Sequence, residues 1–418
     1  MQKESIIIIG GGVAGLLAAK ELATECHVTL LEANNRFGGR IYTISQEGFS
    51  TPIEGGAEFI HGTALHTFAL LKEAGLTYTP VDGKFYRFTN AALEEQHEMV
   101  EGWDLLMDRM ADIKEDIALQ QFLLQHFSAD KYIELRKEVK VYAEGFDLAN
   151  PDLVSAKTLF REWSHETEDY RIDGGYGLLI NYLIEKCEAL GCRLVKNAAV
   201  DSVNWREGSV KVHTADDSSF EADKCLLTLP LGVLKQSEGN TVINFSPAID
   251  PQLQAIDQIG FGSVIKVALQ FDQPFWREDA AFFFSEETIP TWWTQLPAKD
   301  ALLTGWVGGS QAKALSNDSD QQFVEKSLDS LAAIFDHSPE ELKQKLKASK
   351  VFNWQNVGYV RGGYSFATPQ TEAALQVLNS PLNQTLYFAG EGLYDGEHPG
   401  TVEAAISSAK KAVALILQ

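Results

Sequence analysis

Four consecutive isoleucines, Ile6 to Ile9, stand ahead of a run of glycines. A short β-branched run that is apolar on both faces reads as a fully buried parallel strand. Leu16 to Leu22 then reads as a helix and His27 to Leu31 as a second strand, which predicts a β-α-β unit. From about Gly83 the pattern turns helical. Leu105, Met110, Ile113, Ile117 and Phe122 recur at roughly helical intervals, with Asp104, Asp108, Asp112, Glu115 and Asp116 between them. Residues 85–171 are therefore predicted to be a largely helical insertion with a core-facing stripe and a solvated acidic face. Asp173-Gly174-Gly175 opens a helix containing Leu178, Leu179, Leu183 and Ile184. Strand alternation follows in Val200 to Trp205 and Val210 to His213, then in Leu226 to Leu229 ahead of Pro230. Phe245 to Trp276 alternates through Val264-Ile265-Lys266-Val267-Ala268-Leu269. An amphipathic helix is predicted from about Gln321 to Phe335, and a buried strand at Leu386-Tyr387-Phe388 precedes a final helix after Gly400.

Composition narrows the class. A chain of 418 residues with 45% hydrophobic and 22% charged positions is an ordinary globular protein of two to three domains, able to build its core without staples. Lys and Arg number 35 against 58 Asp and Glu, a net charge of −23. That balance argues against nucleic acid or an anionic membrane as partner, since both demand clustered cations. It is compatible with a cationic small substrate. Cysteine is scarce, at Cys26, Cys187, Cys192 and Cys225, and Cys187 and Cys192 have no neighbouring His or second Cys pair. No metal site is expected, and reduced thiols point to a cytoplasmic setting. Gly10 to Gly12 cut short the apolar run after Lys3, and Lys410 and Lys411 interrupt Ala404 to Leu417, so a soluble protein is expected.

The first forty residues carry the strongest chemical signal. Gly10, Gly12 and Gly15 have G-x-G-x-x-G spacing between strand and helix, and Glu32 closes the second strand. Gly10 permits the tight turn, Gly12 lets a pyrophosphate approach the backbone, and Gly15 lets helix and strand pack closely. The helix N-terminus favours phosphate charge, while the acid accepts ribose hydroxyls. An acid there fits an unphosphorylated adenosine, so FAD or NAD rather than NADP. Arg36, Gly38, Gly39 and Arg40 follow as R-x-G-G-R, a second glycine pair with a fixed cation that can hold a longer cofactor.

The stretch Glu32-Ala33-Asn34-Asn35-Arg36-Phe37-Gly38-Gly39-Arg40 resembles the flavin-containing amine oxidase family of monoamine and polyamine oxidases. Asn34 departs from the arginine many members carry. The resemblance continues in order through Gly55-Gly56-Ala57-Glu58-Phe59-Ile60-His61-Gly62, Pro230-Leu231-Gly232, Leu386 to Glu391 and Gly400-Thr401-Val402-Glu403. It implies an α/β protein with an α+β second domain: a discontinuous Rossmann-like FAD-binding domain from 1–84, 172–245 and 352–418, and a mixed-sheet and helical substrate domain from 85–171 and 246–351. The cofactor contacts it implies are Gly10, Gly12, Gly15, Glu32, Ala33, Arg36, Gly39, Arg40, Gly56, Ala57, Val200, Trp354, Gly390, Glu391 and Val402. Val200 would face the adenine through its backbone, and Glu391 the ribityl chain. The helix opening at Val402 would aim its N-terminus at the pyrimidine side of the ring. Gly363 stands where monoamine oxidases carry a flavin-linked cysteine, so the FAD is expected to be noncovalent.

Lys266 is the sharpest candidate. On pattern alone it is an edge-strand lysine facing solvent, since a buried cation must be paired or neutral. The resemblance instead makes it catalytic, holding a water at the flavin's reactive nitrogen and favouring oxygen reduction. It also places Tyr364 as one aromatic wall of a substrate cage, leaves the second wall to Thr401, and turns His61 toward substrate. A threonine at that second wall resembles the histone-demethylase branch. The expected reaction is oxidation of a polyamine or monoamine by hydride transfer from its α-carbon, with oxygen reduced to hydrogen peroxide. Two alternatives stay open: an L-amino-acid oxidase, with a carboxylate partner among Arg87, Arg161, Arg171 and Arg361, and a flavin-bound scaffold with incidental turnover.

Overall fold

The structure is a computed structural model that describes residues 3–96, 100–164, 168–239, 241–396 and 399–418. Its nucleus is a five-stranded parallel sheet. The strands run in the order Arg193–Val195, His27–Leu31, Ser5–Ile9, Lys224–Leu227 and Leu386–Phe388, drawn from three separate stretches of chain. The isoleucine run works because both faces are covered. Ile6 and Ile8 pack into one core with the helices Val13–Leu22, Gly177–Ala189 and Val402–Ile416. Ile7 and Ile9 pack into the opposite core. That second core is closed by a four-stranded sheet of Val200–Arg206, Ser209–Thr214, Ser219–Ala222 and Asn244–Ser246.

A seven-stranded sheet forms the second body, in the order Leu346–Asn353, Val264–Phe271, Leu302–Gly308, Thr291–Trp293, Ala280–Phe284, Lys84–Thr89 and Ala92–Glu95. Helices Asp320–Phe335 and Pro339–Lys345 cover one face, each opened by a serine capping box that satisfies end N–H groups. Helices Trp103–Ala111, Leu119–His126, Ile133–Gly145 and Ala156–Trp163 make a separate cluster beside it. Among the described residues no helix is long and apolar enough to cross a membrane.

Three expectations change. The edge-strand reading of Lys266 is overturned, because Val264–Phe271 lies between two antiparallel neighbours and all eight of its residues are buried. Helical pattern does not begin at Gly83: Lys84–Thr89 and Ala92–Glu95 form a hairpin whose first strand pairs in parallel with Ala280–Phe284. Phe85, Arg87 and Thr89 alternate with Tyr86 and Phe88 at the period of a strand, and pairing with Ala280–Phe284 fixes that conformation. Leu106 rather than Leu105 faces the helical core, at 0% against 38% exposed.

Candidate active site

Apart from Gly15 and the arginines Arg161, Arg171 and Arg361, every candidate residue lines one cavity of about 1550 Å³ between the two bodies. That exceeds the ~300–1,000 Å³ of ordinary ligand pockets and leaves room for a dinucleotide with a substrate beside it. Gly15 sits behind the turn, where an added Cβ would lie 2.0 Å from the Gly10 carbonyl oxygen, so only glycine lets the helix pack this close. Gly10 takes φ +112°, the left-handed region that glycine adopts freely.

The residues fit a dinucleotide cofactor. A Cβ at Gly12 would meet nothing within 4 Å, so the cradle opens onto the cavity. No side chain caps the helix that starts at Val13, and Val13 and Ala14 line the cavity, leaving N–H groups for a phosphate. Glu32 is buried at the cradle's edge. Its Oε2 accepts the Gly11 N–H at 2.7 Å, and its Oε1 accepts the Asn34 backbone and side-chain N–H groups at 2.8 Å each. Asn34, the departure from the family pattern, thus steadies the acid. Arg36 is committed locally: it donates to the Phe37, Gly39 and Ile41 carbonyls and stacks 3.9 Å from the Tyr42 ring. Arg40 instead reaches across the chain, donating to Glu391 Oε1 at 2.6 Å and to the Gly363 carbonyl at 2.8 Å. Glu391 Oε2 accepts from the Ser365 hydroxyl at 2.5 Å. Trp354 donates to the Gly55 carbonyl at 2.8 Å and packs beside Gly56, where a Cβ would fall 1.8 Å from the Arg40 carbonyl oxygen. Ala33, Gly39, Ala57, Val200, Gly390 and Val402 complete the lining.

On the far wall, Lys266 is 1% exposed and forms an ion pair with Glu58, Nζ to Oε2, at 2.6 Å. Glu58 Oε1 accepts from the Arg171 guanidinium at 3.1 Å and from the Trp293 indole N–H at 2.9 Å. Burial would raise the Glu58 carboxyl, but the Lys266 and Arg171 cations hold it below the ordinary range. His61 pairs through Nδ1 with Asp169 at 2.7 Å, on the short ladder that joins Ile60–His61 to Asp169–Ile172. Burial opposes the imidazolium there, yet the Asp169 charge raises His61 above its usual value.

Tyr364 packs against Gly400, next to Thr401, and donates its hydroxyl proton to the Phe146 carbonyl. Trp306 stacks on it, ring centroids 6.3 Å apart at 26°, and lines the same cavity. Thr401 acts as the cap of the last helix, accepting from the Ala404 N–H at 3.1 Å. Nearby, burial pushes the Asp147 carboxyl up to about 7 while the Trp163 indole N–H, 3.1 Å away, opposes the shift. Burial and the Asp147 charge raise Glu162 as well. Sequence reading missed Glu58, Trp293, Trp306, Asp147 and Asp169 as site residues, and offered Arg171 for a substrate carboxylate where the structure pairs it with Glu58. Only Glu58 carried a local signal, an acid inside the apolar run from Gly55 to Ile60.

A parallel sheet with a glycine cradle opens onto a cavity whose far wall holds a buried cation and stacked aromatics, an arrangement that can hold a dinucleotide beside a substrate. The chain belongs to the flavin containing amine oxidoreductase family, whose sequence profile matches residues 13–417. It is 27% identical to polyamine oxidase 4 of Oryza sativa subsp. japonica, across 97% of this chain and 86% of that protein. It is 26% identical to lysine-specific histone demethylase 1B of Mus musculus, across 97% of this chain but only 52% of the demethylase. Among solved structures, wild-type putrescine oxidase superposes with a TM-score of 0.82 at 22% identity, covering 100% of this chain and 99% of that one. Cyclohexylamine oxidase from Brevibacterium oxydans IH-35A gives 0.83 at 20%, covering 99% of each. At these identities the structural likeness speaks for the fold.

Proposed function

We propose that this flavin-containing amine oxidoreductase binds FAD noncovalently and oxidises a small primary or secondary amine, polyamines and monoamines being favoured, with oxygen as acceptor and hydrogen peroxide as product. One observation carries the reading: the dinucleotide cradle, the buried Lys266 and the Tyr364–Trp306 stack converge on a single cavity. When bound, the flavin supplies the hydride acceptor. The chain's own residues do the rest. Gly12 and the helix N-terminus at Val13 receive the phosphates, Glu32 the ribose, and Glu391, fixed by Arg40, the ribityl region. Tyr364 and Trp306 present aromatic faces that attract an amine cation. Asp147 and Glu162 line the same cavity, and among the described residues the one cation that lowers either carboxyl is Arg161, acting on Glu162 against the larger effect of burial. That arrangement favours a substrate that brings its own positive charge. His61, held by Asp169, faces the substrate space as a group able to exchange a proton with the amine. Lys266 presents its charge where oxygen reduction builds up negative charge.

Of the four arginines open to an amino-acid carboxylate only Arg87 lines the cavity, which weighs against that reading. Arg171 is committed to Glu58 and to the Thr294 and Leu296 carbonyls, and Arg87 pairs with Glu138 at 3.1 Å. Arg361 donates to the Gly358 carbonyl, and Arg161 is exposed on its helix. The test is anaerobic mixing of the loaded protein with a panel of polyamines, monoamines and L-amino acids while the yellow absorbance is followed. Bleaching by amines alone is expected. Bleaching by L-amino acids and by no amine would overturn the proposal.

A further inference from the structure

A lysine that is 1% exposed is stable as a cation only if the protein replaces its hydration. Two of the three Lys266 ammonium protons are provided for: one goes to Glu58 Oε2 at 2.6 Å and one to the Gly56 carbonyl at 3.2 Å. The third has no protein acceptor among the described residues, and Lys266 lines the cavity. Glu58 itself is fixed from the other side by Arg171 and Trp293. Arg171 is in turn locked by the Thr294 and Leu296 carbonyls at 2.9 and 2.6 Å and stacks 4.6 Å from the Phe59 ring. The Trp293 ring lies 5.2 Å from Lys266 Nζ. Glu54 is the other carboxyl that feels this lysine, and it is turned away to Thr43 and the Tyr176 N–H. A lone Lys–Glu pair would be a neutral dipole with a weak field in the cavity. Arg171 makes the unit +1 −1 +1, a net single positive charge.

We propose that Glu58 is the positioning residue for Lys266: it keeps the buried ammonium charged and aimed at the cavity, and Arg171 offsets its charge so that the unit stays cationic. The proposal rests on the reading of Lys266 as the residue that serves the flavin. Glu58 touches no reacting atom and acts through the lysine.

Charge bookkeeping gives the test an opposed sign. If Glu58 were only packing, Glu58→Gln would remove a negative charge and leave two cations, so an anion in the cavity would bind more tightly. If Glu58 keeps Lys266 protonated, the variant lets the lysine go neutral and anion binding weakens. Sulfite, an anion that adds to oxidised flavin and bleaches it, is the probe. Glu58→Gln and Lys266→Met should each weaken sulfite binding by about tenfold or more at about pH 8. Tighter or unchanged binding in Glu58→Gln, with weakening in Lys266→Met, overturns the proposal and leaves the reading of Lys266 intact. No change in Lys266→Met overturns that reading instead. The apoprotein gives a second readout, free of flavin. Glu58→Gln should lose thermal stability and be less stable than the double variant with Lys266→Met, because removing one partner of a buried ion pair leaves the other uncompensated. If Glu58→Gln fails to fold, the double variant should still fold, since no ammonium is left unpaired and Arg171 keeps the Thr294 and Leu296 carbonyls and the amide oxygen that replaces Glu58 Oε1. Its failure would overturn the proposal.

Discussion

The Glu32 carboxylate ties the glycine turn to the end of the second strand, and removing it should be felt with and without cofactor. The carboxylate is 6% exposed and accepts hydrogen bonds from the Gly11 N–H, the Asn34 N–H and the Asn34 side-chain amide at 2.7–2.8 Å. A carboxylate offers about four acceptor positions. Three are filled by the protein, and the remaining one, on Oε2, is available to a ribose hydroxyl. Glu32→Ala deprives two backbone N–H groups of their acceptor at the edge of the cradle, at a cost to the apoprotein of about 2–6 kcal/mol. Losing a further charged hydrogen bond to the ribose removes about 1.5–3 kcal/mol of binding, so FAD affinity should fall roughly ten- to a hundred-fold. The assay is titration of the apoprotein with FAD, followed by quenching of flavin fluorescence, beside thermal unfolding of the same apoprotein. Glu32→Gln, which keeps one acceptor oxygen but sets an amide donor against the N–H groups, should fall between. A destabilised apoprotein with unchanged FAD affinity would show that the ribose is held elsewhere. If neither quantity moves, the carboxylate does not organise the cradle.

Three further predictions follow from the same geometry. Purified protein should be yellow and release its FAD into the supernatant on denaturation, because Gly363 offers no thiol and a Cβ there would meet the Leu148 side chain at 2.5 Å; colour retained in the precipitate would refute this. Lys266→Met should keep its fold, since Glu58 retains Arg171 and Trp293, yet slow oxygen reduction by the amine-reduced enzyme at least about tenfold, ~1.4 kcal/mol of barrier, with amine oxidation affected less. Stopped-flow measurement of both half-reactions checks it, and equal oxygen rates would remove Lys266 from the mechanism. Asp147→Asn concerns a carboxyl that burial pushes up to about 7 when folded, against ~3.9 unfolded. The folded wild type therefore holds a proton that the unfolded chain has lost, and its stability falls as pH rises between those values. The variant should gain stability relative to wild type at about pH 8 and show little gain near pH 4; a difference independent of pH in thermal unfolding would contradict the assignment.

Local pattern was enough for much of the cofactor side. The isoleucine strand, the glycine triplet, Glu32 and the strand from His27 to Leu31 are contiguous, and their meaning lies in spacing along one β-α-β unit. The helix from Asp320 is likewise set by its own capping serine and apolar face. Where two readings competed locally, the chain alone chose badly. Lys84 to Thr89 lost its strand to an assumed helix, and Leu105 was preferred to its neighbour Leu106, because a one-residue shift in a helical stripe changes which side chain meets the core. The far wall of the site was not legible at all. Glu58 and Lys266 are separated by 208 residues, Arg40 and Glu391 by 351. Neither partner carries a mark of the other, and Trp306 came to stack on Tyr364 only when two distant segments met. Whether Lys266 is a solvated edge residue or a buried cation depends on which strands flank Val264–Phe271. Hydrogen bonds between strands far apart in sequence decide that, and with it whether the lysine faces water or needs Glu58.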